Sequence, residues 1–366
     1  QESYYYDLKS DLEKYPKAVV YIIIGGRNTG KTYSTLKYEK ENGRHFCFVK
    51  RTIDDVNMIT AGGKTLHKKD EDVNVSFDIS PFKPLNRDLG WNVSAVKIPS
   101  VKGLAGFWDC DSDGNPYGIP LGYACALSAV NKIKGFDMSE VTELIFDEFI
   151  PQKYERISQT EGIALLDLYK TISRDREHRG KEPLKLIMLA NAISISNPVL
   201  ETFELTDIVS EMSCKEEEFY YDEHRQIMIH LIDDSPEFYD IEARSAIYNA
   251  MEGTEWKSMA LDNKFGYEDF TNVERSTTKR MSCKFEFIYN RKSWYCYKNN
   301  DGCYYVCQVK GNTKVSYDLS KETDIERFYE ERYKLYKSTV DGKCKYSNFS
   351  VYNLIMRYNK IFGGRK

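Results

Sequence analysis

The chain has 366 residues, 41% of them hydrophobic and 30% charged, the balance of an ordinary globular protein with room for two or three domains. No apolar run approaches the roughly 18–20 residues that span a membrane, and the polar, acidic start at Gln1-Glu2-Ser3 shows no secretory signal. The nine cysteines are odd in number and scattered, which fits a reduced, intracellular setting and argues against a disulfide scaffold.

The net charge of −4 is unevenly spread. Residues 1–200 carry 27 Lys+Arg against 27 Asp+Glu, 201–273 carry 5 against 19, and 274–366 carry 20 against 10. The last block is basic and rich in tyrosine, as is a surface that follows a polyanion, although a plain solvated surface has the same composition. The acidic middle block argues against a uniform nucleic-acid coat.

In chain order, residues 1–17 read as a short helix with clustered tyrosines. Tyr4 to Tyr6 and Tyr15 suit an adenine ring and suit ordinary packing equally well. The apolar run Ala18 to Ile24 then reads as a buried strand, and Thr32 to Asn42 as a helix closed by Gly43. Between them lies Gly25-Gly26-Arg27-Asn28-Thr29-Gly30-Lys31-Thr32. Strand, Gly-x4-Gly-Lys-Thr and helix, in that order, make a phosphate-binding P-loop. Gly25 and Gly30 allow a tight turn whose N–H groups face an anion, at the positive end of the helix that follows. Lys31 supplies a full charge for the β- and γ-phosphates of a nucleotide, and the Thr32 hydroxyl is a hard oxygen ligand for Mg²⁺.

His45 to Val49 reads as a second buried strand, ending in Lys50-Arg51. Residues 54–120 look irregular. Within them Asp109 to Gly114 starts like a calcium loop but has Pro120 where the twelfth-position glutamate belongs, so it reads as a hairpin turn between 106–108 and 117–119. Gly122 to Leu127 reads as a strand, followed by Lys132 and Lys134. Glu143 to Phe149 is an apolar strand delivering Asp147 and Glu148 at its carboxyl end, where ligands of open α/β sheets bind. This is a Walker B pattern, in which Asp147 holds Mg²⁺ together with Thr32 and Glu148 orients and deprotonates the attacking water. Residues 155–173 have helical periodicity and run into the charged cluster Arg174 to Arg179. Leu184 to Ala190 is a third buried strand, and Asn191 at its tip suits a sensor of the γ-phosphate or of the water, or a turn cap.

The stretch 201–273, with a helical piece from Pro236 to Met251, reads as a linker or lid. Residues 283–289, 292–297 and 302–307 alternate like strands around turns at Asn290-Arg291 and Asn299 to Gly302, an antiparallel meander. Helices are expected near 322–338 and 347–361. Cys303 and Cys307, with Cys296 nearby, come closest to a zinc spacing, but buried thiols are the simpler expectation.

These motifs in this order resemble the DNA-packaging ATPases of phi29-type tailed bacteriophages over most of the chain. The resemblance rests on the arginine-containing P-loop, Ile145-Phe146-Asp147-Glu148-Phe149-Ile150, the segment Thr171 to Ser194, and Glu252 to Asn263. It implies an α/β fold: an N-terminal ASCE-type P-loop ATPase domain (1–200), a small linker or lid domain (201–273), and a basic C-terminal α+β domain resembling a vestigial RNase H-like nuclease (274–366). It implies a homo-oligomeric ring, a pentamer in relatives, that uses ATP and Mg²⁺ to drive viral double-stranded DNA into a procapsid. The ring docks on the portal, in some relatives through a structural RNA, in the cytoplasm of the infected bacterial host and at the procapsid vertex. By position, Arg174 matches an arginine acting in trans on the neighbour's nucleotide. Lys134 falls near a lysine with a similar role, with Lys132 competing for it.

The C-terminal block departs from larger relatives, whose nuclease domains hold two metals on an aspartate cluster. The first strand-like segment here offers only Glu286, with Asp318, Asp324 and Asp341 in turn- or helix-like contexts, so a nuclease-dead, DNA-contacting domain is expected. A small-molecule kinase is the alternative, but it wants an arginine-rich lid, and 201–273 holds only five Lys+Arg. A nucleotide switch without turnover has no use for Glu148.

Overall fold

The computed structural model describes residues 5–60, 65–68, 71–74, 79–152, 155–232, 243–254 and 270–363. The chain forms two compact units, Gln1–Ser194 with Met212–Gly266, and Ile195–Glu211 with Tyr267–Lys366. The first contains strands β1 (Val20–Gly25), β2 (Phe46–Lys50), β3 (Thr65–Lys68), β4 (Glu71–Asn74), β5 (Val93–Lys97), β6 (Leu104–Asp109), β7 (Gly122–Ala126), β8 (Glu143–Phe146), β9 (Lys185–Asn191), β10 (Phe219–Asp222) and β11 (Ile227–Leu231). Strands β3 and β4 pair only with each other; the other nine form one sheet in the order β10-β11-β1-β9-β8-β2-β7-β6-β5.

The six strands from β11 to β7 are parallel. Parallel strands are covered on both faces and so need continuous apolar runs. All six residues of β1 and all four of β8 are buried. Strand β9 lies between them, so the strand carrying the phosphate loop and the strand carrying the paired carboxylates are separated by one. This is the mixed α/β architecture expected.

The margins of the sheet differ from expectation. The supposedly irregular 54–120 contains β5 and β6, antiparallel to one another and, through β6, to β7. It also holds the helix Lys83–Leu89 and most of the helix Ile53–Ile59, whose Thr52 and Asp55 make a reciprocal capping box. Only the first residue of β5 is fully buried, so its alternation is weak. The Asp109–Gly114 turn spends two of its three carboxylates on the protein. Asp111 accepts from the backbone N–H of Asp113 and Asn115, and Asp109 pairs with Lys40 at 2.8 Å. The helix expected from 155 begins at Glu161.

The two units also cut the chain differently from 1–200, 201–273 and 274–366. Strands β10 and β11 belong to the first sheet, with β11 parallel to β1 in the register Val20↔Ile227 to Ile24↔Leu231. The acids that dominate the composition of 201–273 conceal the short run Ile227-Met228-Ile229. The helix Pro198–Thr202 belongs to the second unit, and the division falls inside the helix Thr206–Lys215. Tyr4, residues 236–242 of the Pro236–Met251 helical piece and the stretch from Glu255 to Asn263 lie outside the described residues; the rest of that piece contains the helix Ala246–Ala250.

The second unit is α+β. Strands β12 (Ser282–Tyr289), β13 (Lys292–Lys298) and β14 (Tyr304–Cys307) form the expected meander. Asn290 and Arg291 both have positive φ, 50° and 60°, as a tight two-residue hairpin requires. Strand β15 (Ser316–Asp318) adds parallel to β12 and β16 (Cys344–Tyr346) parallel to β14. Phe287, Trp294, Phe328 and Tyr358 fill the core shared with the helices Glu322–Val340 and Phe349–Phe362. No described helix is long and apolar enough to cross a membrane.

Glu201 in this unit receives a hydrogen bond from Asn353 Nδ2 at 2.9 Å. Burial pushes its pKa up to about 7, against the opposing pull of Arg357 and of the Asn353 bond. The folded value lies above that of an unfolded glutamate, so folding favours the neutral acid. Stability is therefore fully present below about pH 4 and is lost as pH rises through about 7. Glu201→Gln should remove that loss, raising stability at pH 8 by on the order of 1–3 kcal/mol and changing little at pH 4. Thermal melts of both proteins across this range check it.

Candidate nucleotide site

The loop after β1 turns on Asn28 (φ 62°) and Gly30 (φ 81°) and leads into the helix Lys31–Glu41. At Gly30 a side chain would be strained by φ and would also meet Tyr5 at 3.3 Å. The Lys31 ammonium is buried against its own loop, donating to Gly26 O at 2.6 Å and Thr29 Oγ1 at 3.0 Å. It also donates to Asn191 Oδ1 at 3.2 Å. Strand pairing explains this meeting, because Gly25 and Asn191 are opposite one another where β1 and β9 end.

Thr32 Oγ1 donates to Asp147 Oδ1 at 3.0 Å, joining the start of the loop's helix to the end of β8. Burial raises the pKa of Asp147, and Lys50, 3.9 Å from its other oxygen, pulls it back down. Thr32 and Asp147 thus offer two adjacent hard oxygens of the type Mg²⁺ takes. Glu148 follows in a left-handed turn (φ 53°) and is exposed beside Asp147. Loop, carboxylates and amide border one cleft of about 1180 Å³, lined by Asn28, Lys31, Lys50, Arg87, Asp147 and Asn191 among others.

Of the remaining loop residues, Arg27 donates to Gln152 Oε1 at 2.6 Å, and the Gly26 carbonyl serves Lys31 and Thr29. Tyr5 lines the cleft and is exposed. Tyr6 is buried, with its N–H on Thr29 O and its hydroxyl on Asp11. Tyr15 packs on Tyr221 at 4.9 Å.

Arg174 and Lys134 come together, but not at this cleft. Arg174 ends the helix Glu161–Ser173 with φ 42° and is exposed. Its guanidinium donates to the carbonyl oxygens of Lys134 at 3.0 Å and Phe136 at 3.2 Å. The exposed Lys132 stands two residues before Lys134. Arg176, in the same charged cluster, is buried and bonds to the Ser139, Val141 and Glu182 carbonyls.

Residues 118–360, well over half the chain, match the family model for the podovirus DNA encapsidation protein (Gp16). The chain belongs to this family. The DNA packaging protein of Bacillus phage PZA is 27% identical over 351 residues, covering 92% of each chain. That of Bacillus phage phi29 is 26% identical with the same coverage. Two solved structures share the fold. The bacteriophage Phi-29 viral genome packaging motor assembly aligns with a TM-score of 0.65 at 20% identity, covering 98% of this chain and 100% of that one. The Phi-28 gp11 DNA packaging motor aligns with a TM-score of 0.60 at 16% identity, covering 99% of each. The chain is thus a DNA-packaging protein of the podovirus encapsidation family.

Within this encapsidation protein, sequence reasoning left Lys50 and Arg51 without a role. The available signal was a basic pair closing a buried strand. Its meaning needed the sheet order, which sets β2 beside β8. Carboxyl-carbon NMR should show Asp147 titrating above an ordinary aspartate. Lys50→Met should move it further up, because the lost ammonium opposes protonation.

Proposed function

We propose that the first unit hydrolyses ATP and that a ring of such subunits, a pentamer, uses the energy to drive double-stranded viral DNA into a procapsid. The meeting of loop, Asp147 and Asn191 at one sheet edge is the observation that carries this reading. In it the loop N–H groups and Lys31 hold the phosphates, and Asn191 is placed to register the γ-phosphate. Glu148 takes the proton of the attacking water as its oxygen bonds to the γ-phosphorus and the bond to ADP breaks. Thr32 and Asp147 fit Mg²⁺, since their oxygens are 3.0 Å apart, about the spacing of adjacent ligands on an octahedral ion with bonds of about 2.1 Å. When bound, the ion supplies charge neutralisation on the phosphates.

In this reading Arg174 acts on the nucleotide of the neighbouring subunit, stabilising charge on the transferring phosphoryl, with Lys134 beside it and Lys132 the competitor. An exposed guanidinium anchored on carbonyls outside its own cleft supports that assignment. The second unit, with the basic 274–366, contacts the DNA backbone without nuclease activity. The ring works on the portal at the procapsid vertex, in the cytoplasm of the infected host and directly or through a structural RNA.

ATP turnover by the assembled protein should rise on adding double-stranded DNA at low salt and lose that stimulation steeply as salt increases. Glu148→Gln should bind ATP yet turn it over roughly a hundredfold or more slowly. Arg174→Ala subunits doped into wild-type rings should silence their neighbours' sites while keeping their own nucleotide affinity. Mixing Arg174→Ala with Lys31→Ala subunits should then restore turnover, since each provides what the other's site lacks; no recovery would place the arginine in cis. Plasmid DNA incubated with the protein and Mn²⁺ should stay intact; cutting abolished by Glu286→Ala would contradict the nuclease-dead reading.

A further inference from the structure

The turn that presents Glu148 has an unfavourable backbone conformation, since a left-handed φ of 53° is strained for glutamate. Something must hold it. Phe149 N–H donates to Leu189 O at 3.1 Å, fixing the turn to β9 on one side. On the other side is Arg51, the first residue after β2. Its guanidinium donates to the Glu148 carbonyl from Nη1 and Nη2, both at 3.2 Å, and to the Phe149 carbonyl at 3.0 Å. It also lies 5.5 Å from the centre of the Phe146 ring.

The guanidinium is itself held. Glu161 receives Nε and Nη2 on its two oxygens, each at 2.8 Å, and Glu155 adds a contact at 3.6 Å. The Arg51 and Glu161 side chains are 11% and 4% exposed, so this bidentate pair is shielded from water. Arginine suits this position because its planar fork can bond a carboxylate with one edge and two carbonyls with the other, which a lysine ammonium cannot do with fixed geometry. Arg51 is not among the residues lining the nucleotide cleft.

We infer that Arg51 is the positioning residue for Glu148, clamping the catalytic turn through its carbonyls, and that Glu161 holds Arg51 in place. The inference rests on the reading of Glu148 as the water activator. Misplacing such a group by about 1 Å costs on the order of a hundredfold in rate.

The test uses the full chain assembled with DNA. The double variant Arg51→Met/Glu161→Gln removes both charges, so neither is left buried alone. Turnover should fall roughly ten- to a hundredfold while ATP affinity stays within about twofold. Glu161→Gln alone, which keeps shape and leaves Arg51 its carbonyls, should give a smaller fall of the same kind. It decides the matter if the double variant does not fold. A structural defect would slow any background further. The clamp, in contrast, acts only through Glu148, so adding Glu148→Gln to the double variant should give a rate no lower than Glu148→Gln alone. Wild-type turnover in the Arg51 and Glu161 variants, parallel losses of affinity and rate, or additive losses with Glu148→Gln would each overturn the inference. If Glu148→Gln itself turns over normally, the water-activator reading fails instead.

Discussion

The site depends on the parallel insertion of β9 between β1 and β8. Parallel strands end at the same edge of a sheet, so three separate motifs reach one edge without long loops. Two strand spacings, about 10 Å, separate the ends of β1 and β8. The gap is closed by the loop's helix, whose Thr32 reaches Asp147, and by Asn191, which reaches back to Lys31. A direct β1–β8 pairing would leave no strand end from which an amide could address both.

Around that edge the cations Lys31, Lys50 and Arg51 are held by acceptors before any ligand arrives. Lys31 rests on a carbonyl, a hydroxyl and an amide, Lys50 lies near Asp147, and Arg51 joins Glu161 to the Glu148 turn. Preorganisation of this kind limits the reorganisation needed when charge develops. The 13-residue helix Glu161–Ser173 thus starts on a carboxylate tied to the Glu148 turn and is capped at its far end by Arg174.

Much of this was legible in the chain, for physical reasons. Buried parallel strands must be apolar throughout, so β1, β8 and β9 stood out as runs. Phosphate chemistry admits few residue types, so Gly25 to Thr32 stood out as a motif. The meander was readable from alternation and from Asn290-Arg291, but β15 and β16, three residues each, are too short for any periodicity. Strands β10 and β11 were hidden by averaging, since acids elsewhere in 201–273 outweighed Ile227-Met228-Ile229. The work of Arg51 and the closeness of Arg174 to Lys134 depend on backbone carbonyls, which leave no mark on residue identity.

The pairing of β1 with β11 has a consequence for how the chain folds. Val20 waits for Ile227, and the segment Ile195–Glu211, which belongs to the other unit, lies between them in sequence. The first sheet therefore cannot be completed during synthesis until residue 231 has emerged, and closing so long a loop slows folding. A chain cut near residue 200 would lack a strand beside the phosphate loop and leave the flank of β1 as an open, apolar edge. Such edges pair with other chains, so the fragment would tend to aggregate rather than behave as an independent domain.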